Sequence, residues 1–293
     1  MSSQTAEAVF TNLARGFSLG RRLVFAFLFL FPPPVWSEEL VTQPQTFRVC
    51  ADPNNLPFSN QRQEGFENKI AELLANDLHA ELQYTWWPQR RGFLRSTLNA
   101  GVCDIVMGLP TGVDAVLTTR PYYRSTYVFI YPQNNGYHIT AFDDPILYKL
   151  KIGVHLIGDD YANSPPAHLL SARGIIRNVV GYSAFGDYAE DSPAGKIVQA
   201  VATGEVDVAI VWGPIAGYFA KRQQVPLALT PTPRQTESSL PPLTYDIALG
   251  VRRGEQELKT KLDDALQRKA SDIHKILEEY GTPLLQYSTI STE

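Results

Sequence analysis

The chain of 293 residues is poor in the residues that build metal and redox centres, with two Cys, two Met and five His. Two cysteines cannot form a disulfide-dense scaffold or fill a Cys-rich zinc or iron–sulfur site. His79, His138, His155, His168 and His274 are scattered, with no HExxH string and no pair four residues apart. The pairs Asp143-Asp144 and Asp159-Asp160 lack EF-hand spacing and read as turn acids or helix caps. There is no GxSxG elbow, and no GxxxxGK or GxGxxG phosphate loop. A formal net charge of −4 gives no basic footprint for nucleic acid. These absences give no support to metal binding or nucleophilic catalysis, and no sign of a cofactor of the protein's own. What remains is 44% hydrophobic and 19% charged, a globular composition long enough for one large domain or two ordinary ones.

Arg15, Arg21 and Arg22 precede an apolar run at 23–31 that Pro32-Pro33-Pro34 ends. Val35-Trp36-Ser37 then offers small residues at the −3 and −1 positions of a cleavage site, ahead of Glu38. This predicts a secretory signal peptide over residues 1–37, cut after Ser37. The run is too short for a membrane helix, which takes about 20 apolar residues. The residues around Arg21-Arg22 fit twin-arginine export poorly, so Sec-type export is expected. Cleavage leaves 256 residues with 23 basic and 29 acidic side chains, a net −6, and no stretch able to span a bilayer. With no lipobox cysteine near the cut, the expected product is a free periplasmic protein.

Strands and helices alternate along the rest of the chain. Residues 47–51 read as a strand ending in the polar turn Asp52-Pro53-Asn54-Asn55. Phe66, Ile70, Leu73, Leu74 and Leu78 mark one face of a helix. A strand at 82–87, a helix at 89–100 stopped by Gly101, and a buried strand at 104–107 follow. About a hundred residues on, Gly204-Glu205-Val206-Asp207-Val208-Ala209-Ile210 echoes Gly101-Val102-Cys103-Asp104-Ile105-Val106-Met107. Each string has a Gly stop, then an Asp shortly before a buried strand that runs into a Gly/Pro turn. The echo predicts two α/β lobes, each a mostly parallel sheet flanked by helices. Lobe 1 takes residues 45–129 plus 246–293, and lobe 2 takes 132–243. Strands at 125–131 and 244–251 are the two crossings of a hinge, and a helix at 255–280 carries Leu258, Leu262, Leu266, Ile273 and Leu277.

Ligands of such sheets sit outside the carboxyl ends of the strands. That rule gathers Asp52, Asn54, Asn55, Phe58, Asp159, Asp160 and Trp212 around one crevice. Trp86-Trp87-Pro88-Gln89-Arg90-Arg91 adds a second feature, since adjacent strand residues face opposite ways and one Trp must point outward. Arg90 and Arg91 at a helix start oppose its dipole unless an anion or acidic partner offsets them. Trp87, Arg90, Arg91, Tyr122 and Arg124 thus form an aromatic and basic set suited to a partner protein. Cys50 and Cys103 fall on neighbouring strands at an offset of about 10 Å. That offset argues against a bridge, although export permits one.

The string at 49–60 with Gly65-Phe66-Glu67-Asn68 resembles the first strand and helix of bacterial extracellular solute-binding proteins. WWPQRRGF (86–93), TTRPYYRSTYVF (118–129), IGVHLIGDD (152–160) and VDVAIVWGPIAGYFAKRQ (206–223) narrow the likeness to the MoxJ/XoxJ family. These are periplasmic proteins of methanol-oxidation operons, and the likeness runs from about Phe47 to Leu285. It implies a two-lobed type II periplasmic binding-protein fold, with Glu67 among the cleft residues. It also implies an accessory that binds and activates a methanol dehydrogenase using PQQ with calcium or a lanthanide, with a small molecule or peptide as a further cleft occupant. An importer's solute-binding protein is the alternative, and an enzyme on the same fold a third reading. Amino-acid binders of this fold carry an Arg in a T-x-x-R pattern, whereas Thr111-Gly112-Val113-Asp114 has none. Gly213-Pro214-Ile215 replaces the Asp expected to hold an amino group.

Overall fold

A computed structural model of the chain describes residues 45–157, 162–184, 188, 192–237 and 239–286. The expected signal peptide and its cleavage point, and Asp159 and Asp160, lie outside the described residues. The first part of the chain runs β1 (Thr46–Ala51), the two-residue arms β2 (Asn54–Asn55) and β3 (Ser59–Asn60), then α1 (Phe66–Asp77). β4 (Glu81–Trp86), α2 (Phe93–Ser96), β5 (Ile105–Pro110), β6 (Leu117–Thr118) and the long β7 (Tyr123–Pro132) follow. The second part has β8 (Ile152–Ile157), β9 (Ala162–Asn163), α3 (Pro165–Ala172), β10 (Val179–Ser183) and α4 (Lys196–Ala202). It continues through β11 (Val208–Trp212), α5 (Gly213–Ala220), β12 (Leu227–Pro231) and β13 (Thr244–Val251), and ends with α6 (Gln256–Arg268) and α7 (Ala270–Glu279).

Eleven of the described strands form a mixed sheet whose main path is β10-β8-β11-β7-β13-β5-β1-β4, and β2 and β3 pair with each other as a separate two-stranded arm. Its two ends follow one plan. In one, β4 and β5 flank β1 in parallel and β13 joins β5 antiparallel. In the other, β10 and β11 flank β8 in parallel and β7 joins β11 antiparallel. The sequence echo falls at matching places in this plan. Val49 pairs with Ile105 in the first set and Ile152 with Val208 in the second. The aspartates just before β5 and β11 then do the same work. Asp104 accepts two bonds of 2.7 Å from Arg48, and Asp207 accepts the backbone N–H of Lys151 at 2.7 Å. Each fixes the start of its strand against the neighbouring one.

β7 and β13 pair with each other over Thr126↔Thr244 to Tyr123↔Ile247, and β7 runs on to pair with β11 and β12. Both faces of this region are covered, so its side chains alternate between two cores. Val128 and Ile130 point to the layer of Ile197, Val201 and Val211, whereas Phe129 and Tyr131 point to that of Ile152, Leu170 and Ile210. Near the other end, Phe66, Ile70 and Leu74 of α1 pack with Leu262, Leu266, Ile273 and Leu277.

Three expectations are corrected. The helix expected at 89–100 is only the four-residue α2, because Gly92 takes a left-handed conformation (φ 85°) and Thr97 leaves helical geometry (φ −119°, ψ −86°). Arg90 and Arg91 therefore precede a single turn, and the helix-dipole cost assigned to them does not apply. The helix expected at 255–280 is two helices, broken at Lys269. The break lets both halves lie on α1, where Asp77 pairs with Arg268 at 2.6 Å and Lys269 at 3.6 Å. Finally, Cys50 and Cys103 form a disulfide, with Cα atoms 5.6 Å apart. Cys103 lies in the turn before β5 rather than on an extension of it, so distance along the strand does not set the separation of the two cysteines. The bridge is buried with Phe93, Leu98, Val106 and Val116.

Candidate functional site

α1 begins at Glu67's turn because the preceding loop satisfies its free N–H groups. Phe66 N donates to Pro57 O (2.8 Å) and Glu67 N to Phe58 O (2.9 Å). Asn68 Oδ1 accepts from Asn60 N and Gly65 N, at 3.2 and 3.1 Å. A Cβ on Gly65 would lie 2.0 Å from Phe58 O, so only glycine lets this loop lie so close. Phe58 and Glu67 are thereby brought to one wall of a cavity of about 270 Å³. Gly108 of β5 forms the adjoining wall, at φ 74°, where a Cβ would stand 2.3 Å from Glu67 Oε1. β11 supplies Trp212 at its carboxyl end, and β7 supplies Tyr123 and Tyr127. Trp212 is held edge-on by Tyr127 and Tyr245, at 5.4 and 5.7 Å between ring centroids. Asn55, Gln89, His155 and Ser164 complete the polar part of the lining.

Burial sets the electrostatics here. It pushes the Glu67 carboxyl up from 4.5 to about 8, with no hydrogen bond or opposite charge acting against it among the described residues. It pushes His155 down from 6.5 to about 4, only partly opposed by Ala194 O, 3.2 Å from Nε2. Because that oxygen only accepts, Nε2 carries the proton of the neutral ring. Tyr122 and Tyr123 are raised well above the ordinary tyrosine value, first by burial and then by Glu67's charge.

Beside the cavity Asp52 is buried with its acceptors filled. It takes the N–H groups of Asn54 (2.8 Å) and Gln89 (2.6 Å) and the Tyr188 hydroxyl (2.8 Å). Asn54 accepts from Ser192 N at 3.3 Å, and the Arg90 guanidinium lies 5.3 Å over the Tyr188 ring. Residues of the first βα unit thus tie to residues of the second part around the cavity mouth.

Of the residues expected from sequence, the cavity brings together Asn55, Phe58, Glu67 and Trp212. Asp52, Asn54 and Arg90 sit next to it in the tie just described. Trp87, 45% exposed, and exposed Arg91 lie on the outer surface. Tyr122 packs on Tyr123 with its hydroxyl buried, and Arg124 is paired bidentately with Asp246 across β7 and β13 (both 2.7 Å). These two therefore belong to the sheet rather than to an outer patch. Tyr123, Tyr127, His155 and Ser164 were missed, since inward residues of buried elements look alike whether they face a core or a cavity. Among the described residues no three His, Cys, Asp or Glu side chains gather as a metal site. No helix among them is long and apolar enough to cross a membrane.

Residues 47–283 match the family model of bacterial extracellular solute-binding proteins, family 3. The chain belongs to that family. Within it the chain is 31% identical to Protein MoxJ of Methylorubrum extorquens in an alignment of 255 positions that covers 83% of each chain. It is also 31% identical to Protein MoxJ of Paracoccus denitrificans, over 82% of this chain and 90% of that one. The crystal structure of periplasmic binding protein XoxJ from Methylobacterium extorquens superposes with a TM-score of 0.69 at 34% identity, over 83% of this chain and all of that one. The chain is thus a family 3 solute-binding protein of the MoxJ/XoxJ group, with the mixed α/β periplasmic binding-protein fold.

Proposed function

We propose that this family 3 protein is a periplasmic accessory of methanol oxidation that binds a PQQ-dependent methanol dehydrogenase and brings it to its active form. The likeness to two MoxJ proteins over more than four-fifths of the chain carries this reading. The cavity supports it by what it lacks for nutrient capture. Among its described lining residues there is no Arg or Lys to receive the carboxylate of an amino acid. Exposed Trp87 beside Arg90 and Arg91 offers the residue types favoured in protein contacts. The PQQ and its calcium or lanthanide belong to the partner in this reading.

The test is retrieval from a periplasmic extract. A tagged form of the protein is expected to bring down a quinoprotein dehydrogenase, and Trp87→Ala with Arg90→Ala to bring down less. If the dehydrogenase is not retained while a small solute stabilises the protein saturably, the importer reading takes its place.

A further inference from the structure

The cavity has a chemistry that fits one class of occupant. Glu67 is the one acid in its described lining and is 8% exposed, and its carboxyl has no hydrogen-bonding or ionic partner among the described residues. Four aromatic side chains, Phe58, Tyr123, Tyr127 and Trp212, share the lining with it. The helix starts that an anion would use are closed off. Ser164 precedes α3, whose first two residues are Pro165 and Pro166, and Trp212 precedes α5, whose second residue is Pro214. Proline has no N–H to donate, so these ends lack much of what makes a helix start an anion site. The third helix start, that of α1, already carries Glu67's carboxyl. The Ser164 hydroxyl, 1% exposed, lines the cavity without a hydrogen-bond partner among the described residues.

We propose that this cavity holds an organic ammonium group that bears no carboxylate, its charge on Glu67 and its carbons against Phe58, Tyr123, Tyr127 and Trp212. Aromatic faces attract such cations, more strongly when water is excluded. A carboxylate buried without a partner is costly, and a cation is what offsets it. The volume lies near the lower end of small-ligand sites, about 300 Å³. The same chemistry is offered by a free amine and by a lysine side chain of a docked protein. The inference does not depend on the dehydrogenase reading.

Binding of this kind takes up the ionised carboxylate, so it must strengthen as pH rises toward the value at which Glu67 ionises. The groups that face Glu67 leave that window clear. Tyr84 of β4, Tyr122 just before β7 and Tyr123 at its start titrate far above it, and His155 of β8 far below. No charged group of α6 or α7 acts on it among the described residues.

The experiment is calorimetric titration of the exported protein in phosphate, since Tris is itself an organic ammonium. Choline and n-butylammonium are the cationic probes, and 3,3-dimethylbutan-1-ol is the neutral isostere of choline. The cations are expected to bind saturably at pH 8.5 and to lose up to about tenfold in affinity per pH unit below pH 8. The alcohol should not bind, and Glu67→Gln, which keeps the side-chain shape, should weaken the cations at least tenfold. A lysine peptide and its acetyl-lysine counterpart separate the two sources. Preference for the lysine peptide assigns a docked segment, and binding of the small amines alone assigns a free solute. Equal binding of the alcohol, undiminished binding by Glu67→Gln, or no cation binding at pH 8.5 would overturn the proposal.

Discussion

Glu67 and His155 line the same cavity and are displaced in opposite directions by burial, to about 8 and about 4. An acid whose value is raised in the fold contributes fully below its unfolded value, and that contribution is lost as pH rises toward 8. A base whose value is lowered contributes fully above its unfolded value and loses it as pH falls toward 4. The two slopes oppose each other between about pH 4.5 and 6.5. Above 6.5 Glu67 acts alone, at roughly 1.4 kcal/mol per pH unit. Urea unfolding is therefore expected to show a loss of about 2 kcal/mol from this group between pH 6.5 and 8, absent in Glu67→Gln. Equal pH dependence in the two proteins would contradict it. Gly108 lies against the same carboxyl, with a left-handed backbone and no Cβ to meet it. Gly108→Ala is expected to cost at least about 1–2 kcal/mol in the same assay and to displace Glu67. Asn55, Phe58 and Trp212 were legible in the sequence because they stand where strands give way to turns. The isolation of Glu67 was not, since whether a buried acid meets a partner depends on contacts from distant β5, β7 and β8.

Among the elements, the strand starts carry the clearest sequence signal. Asp104 is held below the usual carboxylate range although its burial works the other way, because Arg48 and Arg252 hydrogen-bond to it. That placement follows from one Asp just before a buried strand, and Asp207 repeats it. Regular elements with a long apolar period were read closely, as with the helix now seen at Phe66–Asp77. Elements decided by single backbone angles were not, as at Gly92 and Lys269. The Cys50–Cys103 bridge belongs to this second kind, because the turn before β5 sets it and strand arithmetic does not. It closes a loop with a sequence separation of 53. A loop of that length corresponds to about 4 kcal/mol of chain entropy in the unfolded state. Replacing both cysteines by serine should lower unfolding stability by about 2–4 kcal/mol. Reductant should then no longer affect the midpoint. A variant as stable as the oxidised protein would show that the bridge contributes nothing.

On the scale of the whole molecule, two βαβ sets with one plan share a sheet, and β7 and β13 join them. Asp52, Tyr188, Arg90 and Asn54 tie the two parts beside the cavity. The plan was visible in the sequence as an echo of seven residues, whereas the tie was not, since its hydrogen bonds join residues 136 and 138 apart. Family membership accounts for the fold, and among the described residues the cavity has prolines at two of its helix starts and a single acid in its lining. The proposed role of this molecule is exercised on another one, a methanol dehydrogenase. It is tested most directly by methanol dehydrogenase activity in a methanol-grown strain lacking the protein. Activity should fall severalfold while the dehydrogenase polypeptide is still made. The intact protein should restore it, and Trp87→Ala with Arg90→Ala should restore less. Unchanged dehydrogenase activity in the deleted strain would contradict the account.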